Sequence, residues 1–120
     1  MHEFSIAMSI IEIAETEARK ENGTAVNELV LDVGTMSGIE FQALDTALEM
    51  AVKNTLLEKA KIQINKIQAR AKCSDCAREF DIDSAFDPCP ECGSFYHELL
   101  SGKELQLKSL VVDVVEEIGE

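Results

Sequence analysis

The segment CSDCAREFDIDSAFDPCPEC (73–92) contains all four cysteines of the chain, as two Cys-x-x-Cys pairs separated by 12 residues. A Cys-x-x-Cys turn places two sulfur atoms on one side of a tight loop, and two such turns complete a tetrahedral cage around one metal ion. The spacing therefore predicts a structural zinc site formed by Cys73, Cys76, Cys89 and Cys92. Because four thiolates leave no coordination position for water, the predicted site is not catalytic.

Other readings of the same segment are weaker. Iron could occupy the four-cysteine cage, as in rubredoxins, whose knuckles CPECG (89–93) resembles. A thioredoxin-like redox pair needs one Cys-x-x-Cys at a helix N-terminus rather than two facing pairs. Zinc ribbons often bind nucleic acid, but residues 73–97 contain one basic residue, Arg78, against six Asp and Glu. His97 is surplus to the four-cysteine set, and we expect it in a strand or at the surface.

The bulk properties limit the class of protein. A chain of 120 residues forms one domain, or one domain with a small inserted module. A net charge of −12 repels phosphate backbones, so nucleic acid is not an expected partner. No segment approaches the roughly 18 apolar residues of a membrane span, and the first residues do not have the pattern of a secretory signal. We therefore expect no membrane partner and a cytoplasmic location, where thiols stay reduced and bind metals.

Hydrophobic periodicity predicts an α+β fold. Apolar residues at helical spacing, Ile6, Ile10, Ile13, Ala14 and Ala18, predict the first helix, and the alternation of Leu29, Leu31 and Val33 predicts the first strand. A second helix and two more strands follow from the same kind of spacing, and the apolar phase changes within the second and third strands, which suggests a bulge or a change of buried face. The predicted ranges are helices at about 4–21 and 40–57, and strands at 26–34, 61–70 and 103–117. A three-stranded sheet with two helices packed on it, plus an inserted small zinc-ribbon-like module, fits this order. The predicted domains are a helix–sheet domain (1–70 and 98–120) and a zinc-binding module (71–97).

His2 is placed where a metal could be chelated. The terminal amine of Met1, the His2 amide nitrogen and the imidazole form adjacent five- and six-membered chelate rings. These rings lie in one plane, and square-planar nitrogen sites favour Ni(II) or Cu(II). The Glu3 amide or carboxylate, or a carboxylate from elsewhere, could complete the site.

Four features together resemble one family. They are MHE (1–3), GTMSGIE (34–40), the paired Cys-x-x-Cys knuckles and GKELQLKSL (102–110). The chain is similar, over essentially its whole length, to the HypA (HybF) family of hydrogenase-maturation nickel metallochaperones. The resemblance implies that His2 is a nickel ligand, that Glu3 is tied to nickel delivery and that the four cysteines hold zinc. Some members have an acidic residue near the metal before the second helix, and Glu40 matches it.

The resemblance also implies a function. It predicts a nickel carrier, not an enzyme, which binds Ni(II) at its N-terminus as transient cargo and delivers it to the large subunit of a [NiFe] hydrogenase. A HypB-type GTPase is the expected partner, and some relatives also serve urease. We expect the partner to contact the outer face of the first helix, which carries Glu12, Glu15, Arg19 and Lys20. The alternatives are a zinc-ribbon interaction protein without a nickel role and an iron electron carrier; the oligomeric state stays open, a homodimer included.

Overall fold

The computed structural model describes residues 2–114 as two helices and six strands. In chain order these are α1 (Glu3–Lys20), β1 (Gly23–Gly34), α2 (Phe41–Ala51), β2 (Lys61–Ile67), β3 (Arg70–Cys73), β4 (Glu79–Asp81), β5 (His97–Ser101) and β6 (Leu105–Val114). The three long strands form a sheet in the order β2-β1-β6. The predicted α+β class, with two helices, a three-stranded sheet and an inserted cysteine module, is confirmed.

The core of the helix–sheet part follows the predicted periodicity, except that Ile13, on the predicted apolar stripe of α1, is exposed. One face of α1 is buried, through Ala7, Ile10, Ile11, Ala14 and Ala18. Leu29 and Leu31 of β1 and Leu44 and Leu48 of α2 are almost fully buried as well. Helix α1 ends where Asn22 adopts a left-handed φ of 60°, a conformation that asparagine tolerates better than most residues.

The second helix is shorter than predicted. The apolar spacing suggested 40–57, but α2 ends at Ala51. Asn54 has a left-handed φ of 63°, and the Leu56 N–H donates to the Glu15 carboxylate at 3.0 Å instead of to a helical carbonyl. Leu57 is nevertheless fully buried, so its hydrophobicity reflects the core rather than a continuing helix.

The predicted strand 61–70 is divided between two sheets. Strand β2 ends at Ile67, and β3 begins at Arg70 as the centre of a second antiparallel sheet of order β4-β3-β5. The apolar phase change expected in this segment coincides with the division, since a chain that leaves one sheet for another changes its buried face. The last strand covers Leu105–Val114 of the predicted 103–117; positions 115–117 lie outside the described residues.

The chain forms two compact units. One consists of Met1–Leu31, Glu40–Ile64 and Leu107–Glu120, and the other of Asp32–Ile39 and Asn65–Gln106. The predicted domain boundaries at 70/71 and 97/98 concern which segments fold independently, and they stay a prediction. In the part of the chain that the structure describes, neither helix is long and apolar enough to cross a membrane.

Candidate metal centres

The four cysteines converge on one point. Their Sγ atoms all lie within 4.8 Å of one another, and the nearest pairs are Cys73–Cys92 at 3.5 Å and Cys76–Cys89 at 3.6 Å. A tetrahedron with metal–sulfur bonds of about 2.3 Å has edges of about 3.8 Å. No disulfide joins the four residues. The cage therefore has the size and the donor set that a zinc ion requires.

The two knuckles have the same backbone geometry. In each, the N–H of the residue after the second cysteine donates to the carbonyl of the first, at 3.0 Å from Ala77 and 2.9 Å from Gly93. The N–H of each first cysteine donates at 2.8 Å to the carbonyl five residues later. Ala77 and Gly93 both have left-handed φ values, of 66° and 74°. This equivalence makes the two turns matching halves of one metal cage.

The backbone prepares two of the thiols to ionise. The Cys92 N–H, directed at the sulfur of Cys89, is the main cause that lowers the pKa of Cys89 to about 7. The Cys76 N–H lowers the pKa of Cys73 in the same way. For Cys76 the N–H of Arg78 has a lowering effect, but burial and the neighbouring thiols outweigh it and raise the pKa to about 12. A cation at the centre would remove this conflict, because each sulfur would then face the metal instead of another thiol.

The cage is attached to a small apolar cluster. Cys73 and Cys89 are buried together with Ala69, Ala71, Phe80 and Ile82. His97 lies in β5, opposite Cys73 in the β3–β5 pairing, and its ring meets Phe80 edge-on at 6.1 Å. His97 is thus a strand residue, as the sequence predicted.

His2 occupies the N-cap position of α1. Its side chain is exposed and makes no capping hydrogen bond. Its carbonyl accepts the Ile6 N–H at 3.1 Å, which fixes the backbone of His2 to the first helical turn. The imidazole is therefore free of a structural task and open to solvent.

Glu3 and Glu40 are joined through the backbone. The Glu3 carboxylate accepts the Glu40 N–H at 3.1 Å, and this bond is the main cause that lowers the pKa of Glu3. Glu40 in turn is the N-cap of α2 and accepts the N–H groups of Gln42 at 3.2 Å and Ala43 at 2.6 Å. We call this chain of hydrogen bonds the carboxylate clamp. No local sequence pattern pairs residues that are 37 positions apart, so the clamp could not be predicted from the sequence.

The structure brings the four predicted zinc ligands together, but it does not bring the predicted nickel ligands together. Among the described residues, the ligand atoms of His2, Glu3 and Glu40 do not form a close group like that of the four cysteines. The Met1 amine, the other predicted donor, lies outside the described residues. The carboxylates of Glu3 and Glu40 are directed at backbone N–H groups instead.

A family model, related proteins and a solved structure all match this chain over nearly its whole length. The family model described as hydrogenase/urease nickel incorporation, metallochaperone, HypA matches residues 1–112. The hydrogenase maturation factor HypA of Parabacteroides distasonis is 46% identical over 112 residues, which cover 93% of this chain and 97% of that protein. Its counterpart in Geobacter metallireducens is 38% identical over 113 residues, 94% of this chain and all of that one. The solution structure of the nickel metallochaperone HypA from Helicobacter pylori superimposes with a TM-score of 0.67 at 25% identity, covering 96% of this chain and 100% of that chain.

Proposed function

We propose that this chain, which belongs to the HypA family of metallochaperones for nickel incorporation into hydrogenase and urease, binds Ni(II) through His2 and delivers it to a [NiFe] hydrogenase during maturation. The observation that carries the proposal is the exposed imidazole at the start of α1, free of any capping bond. Since the family is one of metallochaperones, the chain is assigned a carrier role and not a catalytic one.

The backbone at His2 supports a nitrogen-rich site. The first N–H groups of an α-helix have no intrahelical acceptor. Deprotonation of the His2 amide, which precedes the first turn, therefore breaks no helical hydrogen bond. Amide and imidazole nitrogens of one residue chelate a metal in a plane, which suits Ni(II).

The charges around His2 act on a bound cation in opposite directions. A cation at a helix N-terminus is opposed by the helix dipole, by about 0.3–1 kcal/mol. Glu3, in the first turn of α1, and Glu40, at the start of α2, place negative charges at these helix ends. In this proposal the carboxylate clamp positions the N-terminus and offsets the dipole, while nickel stays accessible to an acceptor protein.

The test is metal content after equilibration of the zinc-loaded chain with Ni(II). His2→Ala should lose tight nickel binding and keep its zinc and fold, because the two sites share no ligand. His97→Gln, which changes the only other histidine, is the matched control and should bind nickel normally. Full nickel binding by His2→Ala would refute the proposed site and favour the zinc-ribbon interaction protein.

A second variant tests the role of the Met1 amine. Insertion of one leucine between Met1 and His2, a bulky residue that leaves Met1 in place, keeps the imidazole but separates the amine from the His2 amide by another peptide unit. If the amine is a ligand, the nickel affinity should fall or the absorption spectrum of the nickel complex should change. An unchanged affinity and spectrum would assign the fourth donor to a carboxylate, such as that of Glu3 or Glu40.

The four-cysteine cage is proposed to hold structural zinc. Tetrathiolate iron, the alternative, is chemically compatible with the same cysteines. Metal analysis and the absorption spectrum of the purified chain distinguish zinc from iron, because a rubredoxin-like iron site is red and a zinc site is colourless. One zinc per chain and no visible absorption are expected.

A HypB-type GTPase and the hydrogenase large subunit are the proposed partners. The outer face of α1 is the proposed GTPase contact, but Glu15 is tied to the fold through Leu56. The sharper test is therefore Glu12→Lys, an exposed position, with Glu49→Lys on α2 as the control. Weaker binding of the GTPase to Glu12→Lys alone is expected, and equal binding by both variants would place the contact elsewhere.

A further inference from the structure

Three aromatic side chains of the cysteine module (71–97) are exposed to an unusual degree. Phe86 is 83% exposed, Phe95 63% and Tyr96 75%. They represent half of the aromatic residues of a chain that has five Phe and one Tyr. Aromatic rings are normally buried, and several exposed in a short segment mark an interaction surface.

The backbone holds these aromatic residues in fixed turns. The Phe86 N–H donates to the Ser84 hydroxyl and the Tyr96 N–H donates to the Ser94 hydroxyl, both at 3.1 Å. The Tyr96 carbonyl accepts the Ser74 N–H at 2.9 Å. A surface on such a frame loses little backbone entropy when a partner binds.

The backbones of these three residues lie near the cysteine cage. Phe86 is three residues before Cys89, and Phe95 and Tyr96 are three and four residues after Cys92. A chain spans at most about 3.6 Å per residue. Each of the three backbones therefore lies within roughly 14 Å of a cage cysteine.

The charge around the rings is negative in sum, although Arg70 pairs with Asp81 and Lys72 lies opposite Glu79 in the β3–β4 pairing. Residues 73–97 contain six Asp and Glu and one basic residue, Arg78, whose guanidinium is already paired with Glu91 at 3.2 Å. Asp75 lies between two cage cysteines and Glu79 three residues after Cys76. Among residues 2–114 neither carboxylate has a hydrogen-bond or ion-pair partner.

We propose that Phe86, Phe95 and Tyr96, with Asp75 and Glu79, form a docking surface for an arginine-rich segment of a partner protein. We call it the acidic–aromatic surface. The planar guanidinium group stacks on aromatic faces and pairs with carboxylates, so one side chain satisfies both features. Phosphate-bearing ligands are repelled by the same charge. Binding of a partner at this surface does not require nickel at His2.

Tyr96 provides a probe at the surface itself. It is the only tyrosine, and the chain has no tryptophan, so the intrinsic fluorescence near 300 nm reports on this residue. The experiment titrates the full-length, zinc-loaded chain with a ten-residue peptide of alternating arginine and serine, at about 0.15 M salt to screen distant charges. A saturable change in the emission of Tyr96 is expected. No binding, or binding by calorimetry without a change in Tyr96 emission, would overturn the proposal.

The aromatic contribution is tested with the charge unchanged. Phe86→Ala combined with Phe95→Ala should weaken the peptide affinity by at least about fivefold, since each exposed cation–π contact is worth a factor of roughly two to five. Phe4→Ala, at another exposed phenylalanine (52% exposed), is the control and should bind as the unmodified chain does. If the double alanine variant loses zinc, Phe86→Leu combined with Phe95→Leu replaces it. Leucine keeps the apolar bulk without the ring, and this variant should show the same loss of peptide affinity. An affinity unchanged in zinc-loaded protein would refute the role of the rings.

The local charge is tested against the overall charge. Asp75→Asn with Glu79→Gln should weaken binding, whereas Asp45→Asn with Glu49→Gln, two exposed positions of α2, removes the same charge and should have little effect. Equal weakening by both pairs would show general attraction to a chain of net charge −12 and would overturn the proposed surface.

Discussion

Replacement of Glu40 by alanine and by aspartate separates a capping role from a metal-binding role. The side chain accepts two of the N–H groups at the start of α2, from Gln42 at 3.2 Å and from Ala43 at 2.6 Å. Loss of a single N-cap acceptor costs about 1 kcal/mol, within a range of about 0.5–2. With two bonds lost, the free energy of unfolding should fall by about 1–2 kcal/mol. For a chain of this size that lowers the melting temperature by roughly 4–8 °C.

The assay is thermal unfolding of the zinc-loaded chain, followed by helical circular dichroism. Glu49→Ala, at an exposed glutamate in the same helix, is the control and should change the melting temperature little. Glu40→Asp should restore both stability and nickel binding, because aspartate is a preferred N-cap residue. Equal melting temperatures for Glu40→Ala and Glu49→Ala would refute the capping argument. A Glu40→Asp variant that is fully stable but loses nickel would instead identify Glu40 as a ligand.

Three further results are expected. Ala77→Gly should stabilise the zinc-loaded chain by about 1 kcal/mol in thermal unfolding, because alanine at φ 66° has a steric cost that glycine lacks; a lower melting temperature would contradict this. Cys73→Ser with Cys76→Ser should release zinc and disorder roughly residues 71–97, since metal binding supplies their folding energy, while amide NMR signals of α2 persist; global unfolding would show one cooperative unit. On acidification the NMR signal of the Glu40 amide should shift with a midpoint below the ordinary glutamate pKa of 4.5. The hydrogen bond to the Glu3 carboxylate stabilises the fold above that value, and this stability is lost as the pH falls through the lower pKa of Glu3 in the folded state. A midpoint at or above 4.5 would contradict the clamp.

The elements that the sequence predicted are those with a local physical signature. The alternation of Leu29, Leu31 and Val33 predicted β1, and the helical spacing of Ile10 and Ala14 predicted α1, since each pattern follows from the geometry of one element. The cysteine spacing predicted the cage for the same reason. All of this information lies within about 20 residues of sequence.

The features that the sequence did not predict depend on distant contacts or on a residue type that does not signal its role. The end of α2 was missed because Glu15 takes the Leu56 N–H, an interaction over 41 positions. The capping role of Glu40 was missed because glutamate is not among the usual N-cap residues, so a resemblance had suggested only a metal role. The phase change within 61–70 predicted a bulge or a change of buried face; the structure has the second, as β2 and β3 belong to different sheets, and the sequence did not distinguish the two because both shift the apolar phase.

Gly34 and Gly102 meet at a place where only backbone fits. The Met36 N–H donates to the Gly102 carbonyl at 2.7 Å. A Cβ atom on Gly34 would overlap that carbonyl, and one on Gly102, where φ is +117°, would overlap Ala69. In a saturation mutagenesis screen Gly34, Gly102 and Ala69 should tolerate substitution as poorly as the metal ligands, although none of them binds a metal. A map of intolerant positions would therefore show an apparent functional site here. The metal content of the purified variants would distinguish it from the metal sites.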